Sequence, residues 1–114
     1  MSDHCNTLEW FLVELLKRID PKARPSKASG ASTEPYDIQT KLPYAFECKQ
    51  QLTHKDAVIK KDTWDKLKAE LPWNSTRVPV LVIENKAGNR FAVLDLGDLI
   101  NLIHKVEKEE EANG

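Results

Sequence analysis

The sequence predicts an α/β domain, a mixed sheet flanked by helices, and three stretches predict it. Leu8, Phe11, Leu12, Leu15, Leu16 and Ile19 recur at the spacing of one helix face. "VPVLVIE" is an unbroken apolar run suited to a central strand, and "YAFECKQQ" alternates as a half-buried strand does. Helical and strand periods interleave along 114 residues, a length that suits one domain with a single modest core.

The first helix is expected from about residue 7 to 19, with Asn6 as its N-cap and Pro21 closing it. Residues 22–34, with "SKASGAS" at their centre, predict a short edge strand and then a turn around Gly30. "YDIQTK" and "YAFECKQQ", separated by Leu42 and Pro43, predict two strands arranged as a hairpin. In the second of these, Tyr44, Phe46 and Cys48 point one way, while Ala45, Glu47 and Lys49 point the other. Val58, Ile59, Trp64, Leu67 and Leu71 predict a mainly exposed helix over 56–71, ended by Pro72. "VPVLVIE" and "RFAVLDL" are strands joined by a turn containing Gly88. A last helix is expected to start near Asp98 and to bury Leu99, Ile100, Ile103 and Val106. The order is α, β, β, β, α, β, β, α. Residues 1–106 form one domain in this reading, and 107–114 are a disordered acidic tail.

Composition excludes several classes. No run approaches 18 apolar residues, so a membrane-spanning helix is not expected, and no basic leader with a small-residue cleavage site opens the chain. A cytoplasmic protein is the expectation. Cys5 and Cys48 stand without a CxxC or a Cys/His cluster, so both are read as free thiols, and His4–Cys5 has no partner at ligand spacing. The net charge of −1 conceals an asymmetry: residues 1–106 hold 16 basic and 14 acidic groups, and the tail holds four acids and one Lys. Lys17, Arg18, Lys22, Arg24 and Lys27 gather around the single acid Asp20, a cationic patch that suits phosphate or a solvated helix end.

The chemistry concentrates in "EPYDIQTKLPYAFECKQQ". Phosphodiester cleavage needs an activated water, neutralised phosphate charge and support for the leaving oxygen, all of which bound Mg²⁺ supplies. Mg²⁺ takes one or two carboxylates together with waters and phosphate oxygens. Asp37 and Glu47 on neighbouring strands suit that donor set, with the backbone carbonyl of Cys48 as a third ligand. Lys49 shares the Glu47 face and is placed to orient the water or offset developing negative charge. The competing reading is ordinary: Glu-x-Lys is a common same-face charge pair, and Asp is common at turns.

The order helix, strand, Asp-bearing strand, Glu-x-Lys strand, helix, apolar strand resembles the PD-(D/E)xK nuclease superfamily. The run "ARPSKASGASTEPYDIQTKLPYAFECKQQ", followed by "TWDKL", "RVPVLVIENKAGNRFAVLDL" and "GDLINLI", resembles archaeal-type Holliday junction resolvases and related small bacteriophage endonucleases over about Thr7 to Ile103. The resemblance implies a restriction-endonuclease-like core (α-β-β-β-α-β) and a Mg²⁺-dependent DNA endonuclease, Mn²⁺ being an alternative ion. It further implies branched or structured DNA as substrate, a homodimer, and action in the cytoplasm, a host's if phage-encoded. Asp37 and Glu47 match the metal-binding acids and Lys49 the catalytic lysine. Glu9 matches an acid on the first helix, although Asn6 and Glu9 also spell a capping box, and Glu14 is the fallback. Ser29, Gly30, Ser26 and Lys27 match the segment that approaches the DNA backbone, and Gln51 extends the outward set toward substrate. Lys55, Lys60 and Lys61 are further phosphate candidates. "MSDHCN" departs from the resembled pattern in lacking Lys or Arg, and so does the acidic tail. The alternative function is a catalytically silent nucleic-acid- or protein-binding module on the same fold.

Overall fold

The computed structural model describes residues 7–26 and 36–113. Within them lie α1 (Thr7–Leu16), β1 (Arg24–Pro25), β2 (Ile38–Gln39), β3 (Tyr44–Gln50), α2 (Lys61–Glu70), β4 (Val78–Glu84), β5 (Arg90–Val93) and α3 (Leu96–Asn113). The chain is α/β, as its periodicities predict. A three-stranded sheet has the order β3-β4-β5, and β1-β2 is a separate antiparallel pair. β3 and β4 run parallel with α2 as their crossover, and β5 returns antiparallel. Among the described residues no helix is long and apolar enough to cross a membrane.

The sheet buries both faces. On one side Phe46 and Cys48 of β3 and Val80 and Val82 of β4 pack with Leu8, Val13 and Leu16 of α1, together with Ala23 and Ile38. On the other, Leu81 and Ile83 pack with Leu67 of α2. Burying an aliphatic side chain of this kind contributes about 1.5–3 kcal/mol, so these two small clusters hold the layers together.

α1 turns inward a face rotated from the one its apolar spacing selects. Leu8 and Leu16 of that stripe are buried and Leu12 packs against the core, joined by Glu9 and Val13, while Phe11, Leu15 and Ile19 are exposed. The helix also ends at Leu16 rather than 19, because the Arg18 and Ile19 amides bond three residues back to Leu15 and Leu16 and tighten the last turn. The expected hairpin is also different. β2 pairs with β1, with Arg24 opposite Gln39, and meets β3 through one backbone bond, from Asp37 N–H to the Phe46 carbonyl.

α2 begins at Lys61 rather than 56. Gln51 Nε2 donates to the Val58 carbonyl at 2.6 Å and Gln51 Oε1 accepts the Val58 N–H at 2.8 Å. With both backbone groups of Val58 committed, and Lys60 extended at φ −83, ψ 129, the helix cannot start earlier. The turn at Gly88 has φ +84, open to glycine at no steric cost, and Asn85 Oδ1 accepts the Asn89 N–H to close it.

α3 overturns two expectations. It starts two residues before Asp98, where Asp95 Oδ1 accepts the Gly97 N–H at 2.9 Å as an N-cap, and it continues through 107–113, which are helical rather than disordered. It buries none of its residues. Leu99, Ile100, Ile103 and Val106, expected in the core, face solvent. The two core clusters are complete without α3, since α1 and α2 already cover both faces of so narrow a sheet.

Candidate active site

Asp37 owes its position to backbone on three sides. Its carbonyl accepts the Ser26 N–H at 2.8 Å, its N–H donates to Phe46, and its carboxylate accepts the Cys48 N–H at 2.7 Å. A side-chain carboxylate thus takes a backbone N–H on the edge of β3, beside the single backbone bond that links this segment to the strand. Asp37 is only 8% exposed, and a buried carboxylate needs such a donor. N–H and C=O of one strand residue point to the same side, so the Cys48 carbonyl opens onto the edge that Asp37 occupies.

Glu47 and Lys49 share a face, as strand alternation requires, and their charged ends meet at 3.3 Å. Burial pushes the Glu47 carboxyl above its ordinary range and the nearby Asp37 carboxylate pushes it further, against the opposing pull of Lys49. Asp37 and Glu47 are therefore electrostatic neighbours. In front of Glu47 and Lys49 lies a cleft of about 210 Å³ whose far wall is α2, with Asp62, Thr63, Lys66 and Glu70. Lys49 and Thr63 also line an adjoining cleft of about 230 Å³ with Gln50, Gln51 and Lys60. Sequence reasoning passed over Asp62, Lys66 and Glu70, although their four-residue spacing puts them on one face of α2.

Glu9 is 3% exposed on the inward face of α1, and Glu14 is exposed and paired with Lys17 at 3.2 Å. Of the two, Glu9 approaches β3. The Cys48 thiol is pushed far up by burial and then by Asp37, Glu9 and Glu47, so all three carboxylates surround it. They do so from both sides of the sheet: Glu9 comes from the α1 layer, and Glu47 faces α2. Among the described residues no group of three or more His, Cys, Asp or Glu is arranged to share one ion.

The remaining candidates divide. Gln51 is occupied in fixing Val58, as above. Ser26 is buried, and its N–H braces the segment that carries Asp37. Lys60 reaches the rim of the Lys49 cleft, Lys61 is tied to Asp65 at 2.6 Å, and Lys55 gives its carbonyl to Asn85 Nδ2. Lys27, Ser29 and Gly30 lie outside the described residues, as do Asn6, His4 and Cys5.

Two carboxylates and a neighbouring backbone carbonyl are oxygen donors of the kind a hard divalent cation takes alongside water. The push that Asp37 exerts on Glu47 is the repulsion a cation would relieve. Asp37, Glu47 and the Cys48 carbonyl are the groups that would hold Mg²⁺ or Mn²⁺. Compared with protein-family models, curated proteins and solved structures, the chain matches none.

Proposed function

We propose that the chain is a metal-dependent DNA endonuclease that hydrolyses phosphodiester bonds in branched or structured DNA. The observation that carries the reading is the seating of Asp37 on the Cys48 N–H, which sets its carboxylate beside Glu47 while Lys49 stands 3.3 Å from Glu47. Strand alternation alone puts Glu47 and Lys49 on one face, but it does not bring a buried acid from another segment to join them.

In the mechanism Asp37 and Glu47, with the Cys48 carbonyl, are the groups that would hold Mg²⁺, which when bound would supply an activated water and neutralise phosphate charge. Lys49 orients the attacking oxygen and offsets negative charge as it develops. Glu9 acts through the strand, from the opposite face, as a positioning residue. Attack on phosphorus with the 3′ oxygen leaving gives a 5′-phosphate product.

The reading includes a homodimer acting in the cytoplasm, with one site for each strand of a branched substrate. Two apolar stripes support self-association. Leu96, Leu99, Ile100, Ile103 and Val106 form one on α3, and Phe11 and Leu15 of α1 with Ile19 in the turn after it form another. The α3 stripe spans about 15 Å at 1.5 Å per residue. The α1 stripe ends among Lys17 and Arg18, and the α3 stripe ends among Glu107, Glu109, Glu110 and Glu111. Most helical stability in proteins comes from tertiary packing of an apolar face, and reciprocal docking of α3 on the α1 of a second copy gives each helix a partner of opposite charge.

The decisive test incubates the protein with labelled four-way junction, flap, duplex and single-stranded DNA in Mg²⁺, Mn²⁺ or chelator, beside Asp37→Asn and Lys49→Ala. Metal-dependent cutting of the branched substrates that both substitutions abolish is the expected result. Cutting that survives both places the chemistry elsewhere, and binding without cutting makes the chain the silent module.

A further inference from the structure

The largest cleft described lies away from Glu47 and Lys49. It measures about 400 Å³ and is lined by Lys22, Arg24, Lys41 and Arg77, with Asp20 and Tyr36. It forms where the turn after α1, the β1-β2 pair and the start of β4 meet.

Its charge balance is one-sided, with four cations against one acid among the described lining residues. None of the four cations of this cleft has a carboxylate ion pair among the described residues. Arg77 is fixed instead by neutral groups: Nη1 donates to the Leu42 and Tyr44 carbonyls at 2.8 and 3.0 Å, and Nη2 to the Thr40 carbonyl at 2.9 Å. Its guanidinium carbon lies 5.5 Å from the centre of the Tyr36 ring. Arg24 is held by Gln39 Oε1 at 2.7 Å.

The one acid among the described lining residues is already occupied. Asp20 accepts the Thr40 hydroxyl at 2.7 Å, the Lys41 N–H at 2.9 Å and the Lys22 N–H at 3.2 Å. Its charge is spread over those donors, and the described lining residues keep a formal surplus of three positive charges. Such a basin, with two pre-positioned guanidinium groups, attracts a phosphate oxyanion.

The loop between α2 and β4 that ends in Arg77 also carries Trp73, which is 96% exposed. A bare indole four residues before Arg77 in the chain is a side chain of the kind on which nucleic-acid-binding proteins stack bases. Tyr44 and Val78, at the cleft end of the sheet, are register partners. Glu47 stands three residues further along β3, about 10 Å at 3.3 Å per residue. That is roughly three nucleotide steps at a 3.4 Å rise.

We infer that this cleft is a second, non-catalytic docking site for the phosphodiester backbone of the nucleic acid that reaches Asp37 and Glu47, with Lys22, Arg24, Lys41 and Arg77 as its phosphate contacts and Trp73 as a stacking platform. The ligand class rests on the nuclease reading. The cleft itself rests on its own charge and geometry.

The test is equilibrium binding of fluorescein-labelled four-way junction and single-stranded DNA in chelator, so that no cutting intervenes, across a series of salt concentrations. The exposed pair Lys22→Ala and Lys41→Ala is compared with wild type and with Lys105→Ala and Lys108→Ala, which remove equal charge from α3. The cleft variant is expected to bind about tenfold more weakly near 0.1 M salt, with a salt slope reduced by about two, the α3 variant being unchanged. Trp73→Ala is expected to weaken single-strand binding by about fivefold or more. If the cleft variant matches wild type in affinity and slope while wild type still binds and cuts, the cleft assignment is overturned and the nuclease reading stands. If wild type binds no DNA, both fall. An equal loss in the α3 variant also overturns the assignment, because it would mark an effect of net charge alone.

Discussion

The carboxylate of Asp37 accepts the backbone N–H of Cys48 at 2.7 Å, and the Asp37 N–H donates to the carbonyl of Phe46 two residues earlier on the same strand. One residue thereby clamps the edge of β3 with both its backbone and its side chain, and its negative charge is held beside Glu47.

Asp37→Asn keeps an oxygen that accepts the Cys48 N–H and removes the charge. Exchanging a charge-assisted bond for a neutral one costs about 1 kcal/mol, so the fold persists. The Glu47 carboxyl loses the push that Asp37 exerts on it, and its pKa moves down toward the ordinary glutamate range. A carbon-detected NMR titration of the Glu47 carboxyl in both proteins reads this directly, in the absence of DNA and metal. An unshifted titration would show that the two acids are not neighbours.

The raised Glu47 carboxyl also sets a pH dependence. Its folded-state pKa lies above the unfolded value, chiefly through burial and then through Asp37. The folded state therefore binds the proton more tightly than the unfolded state. That contribution to stability is fully present below the unfolded pKa and is lost as pH rises through the folded pKa. Glu47→Gln abolishes this dependence, so the stability of the variant relative to wild type should be greater at pH 7 than at pH 4 in urea melts. The reverse trend would mean that the pairing with Lys49 outweighs burial.

The unpartnered α3 stripe yields a prediction about assembly. Wild type should sediment as a dimer whose stability falls with added salt, and Ile100→Asp with Ile103→Asp should give a monomer of reduced helicity. Both side chains are already about half exposed, so the body of the fold is untouched by the change. Arg18→Glu should weaken the dimer, and Glu109→Lys with Glu110→Lys in the same chain should restore it. A wild-type chain that stays monomeric at high concentration would remove the second copy as occupant of these faces.

The sequence was legible where one periodicity meets one environment. The run "VPVLVIE" became the central strand because only a strand covered on both faces tolerates so many consecutive apolar residues. Tyr44 to Gln50 alternates, and its alternation correctly puts Glu47 and Lys49 on one face. The Asn85–Arg90 turn followed from its glycine. Apolar spacing found half of the inward face of α1 and misassigned that of α3, because it reports which residues would form a stripe and not whether another element arrives to cover it. On α1 the inward face includes Glu9, a charged residue that hydrophobic periodicity cannot select.

By itself the sequence determined the α/β class, most of the elements and the residue types able to hold a divalent cation. Tertiary structure decided that the Asp37 carboxylate accepts the Cys48 N–H on the edge of β3, that Glu9 enters from the opposite side of the sheet, and that Arg77 joins Lys22, Arg24 and Lys41 across separate segments. Those outcomes depend on hydrogen bonds and charges brought together over long separations in the chain, from Asp37 to Cys48 and from Arg77 to Thr40. Local spacing carries information only as far as one helix turn or one strand, and beyond that reach the packing of the layers sets which polar groups meet.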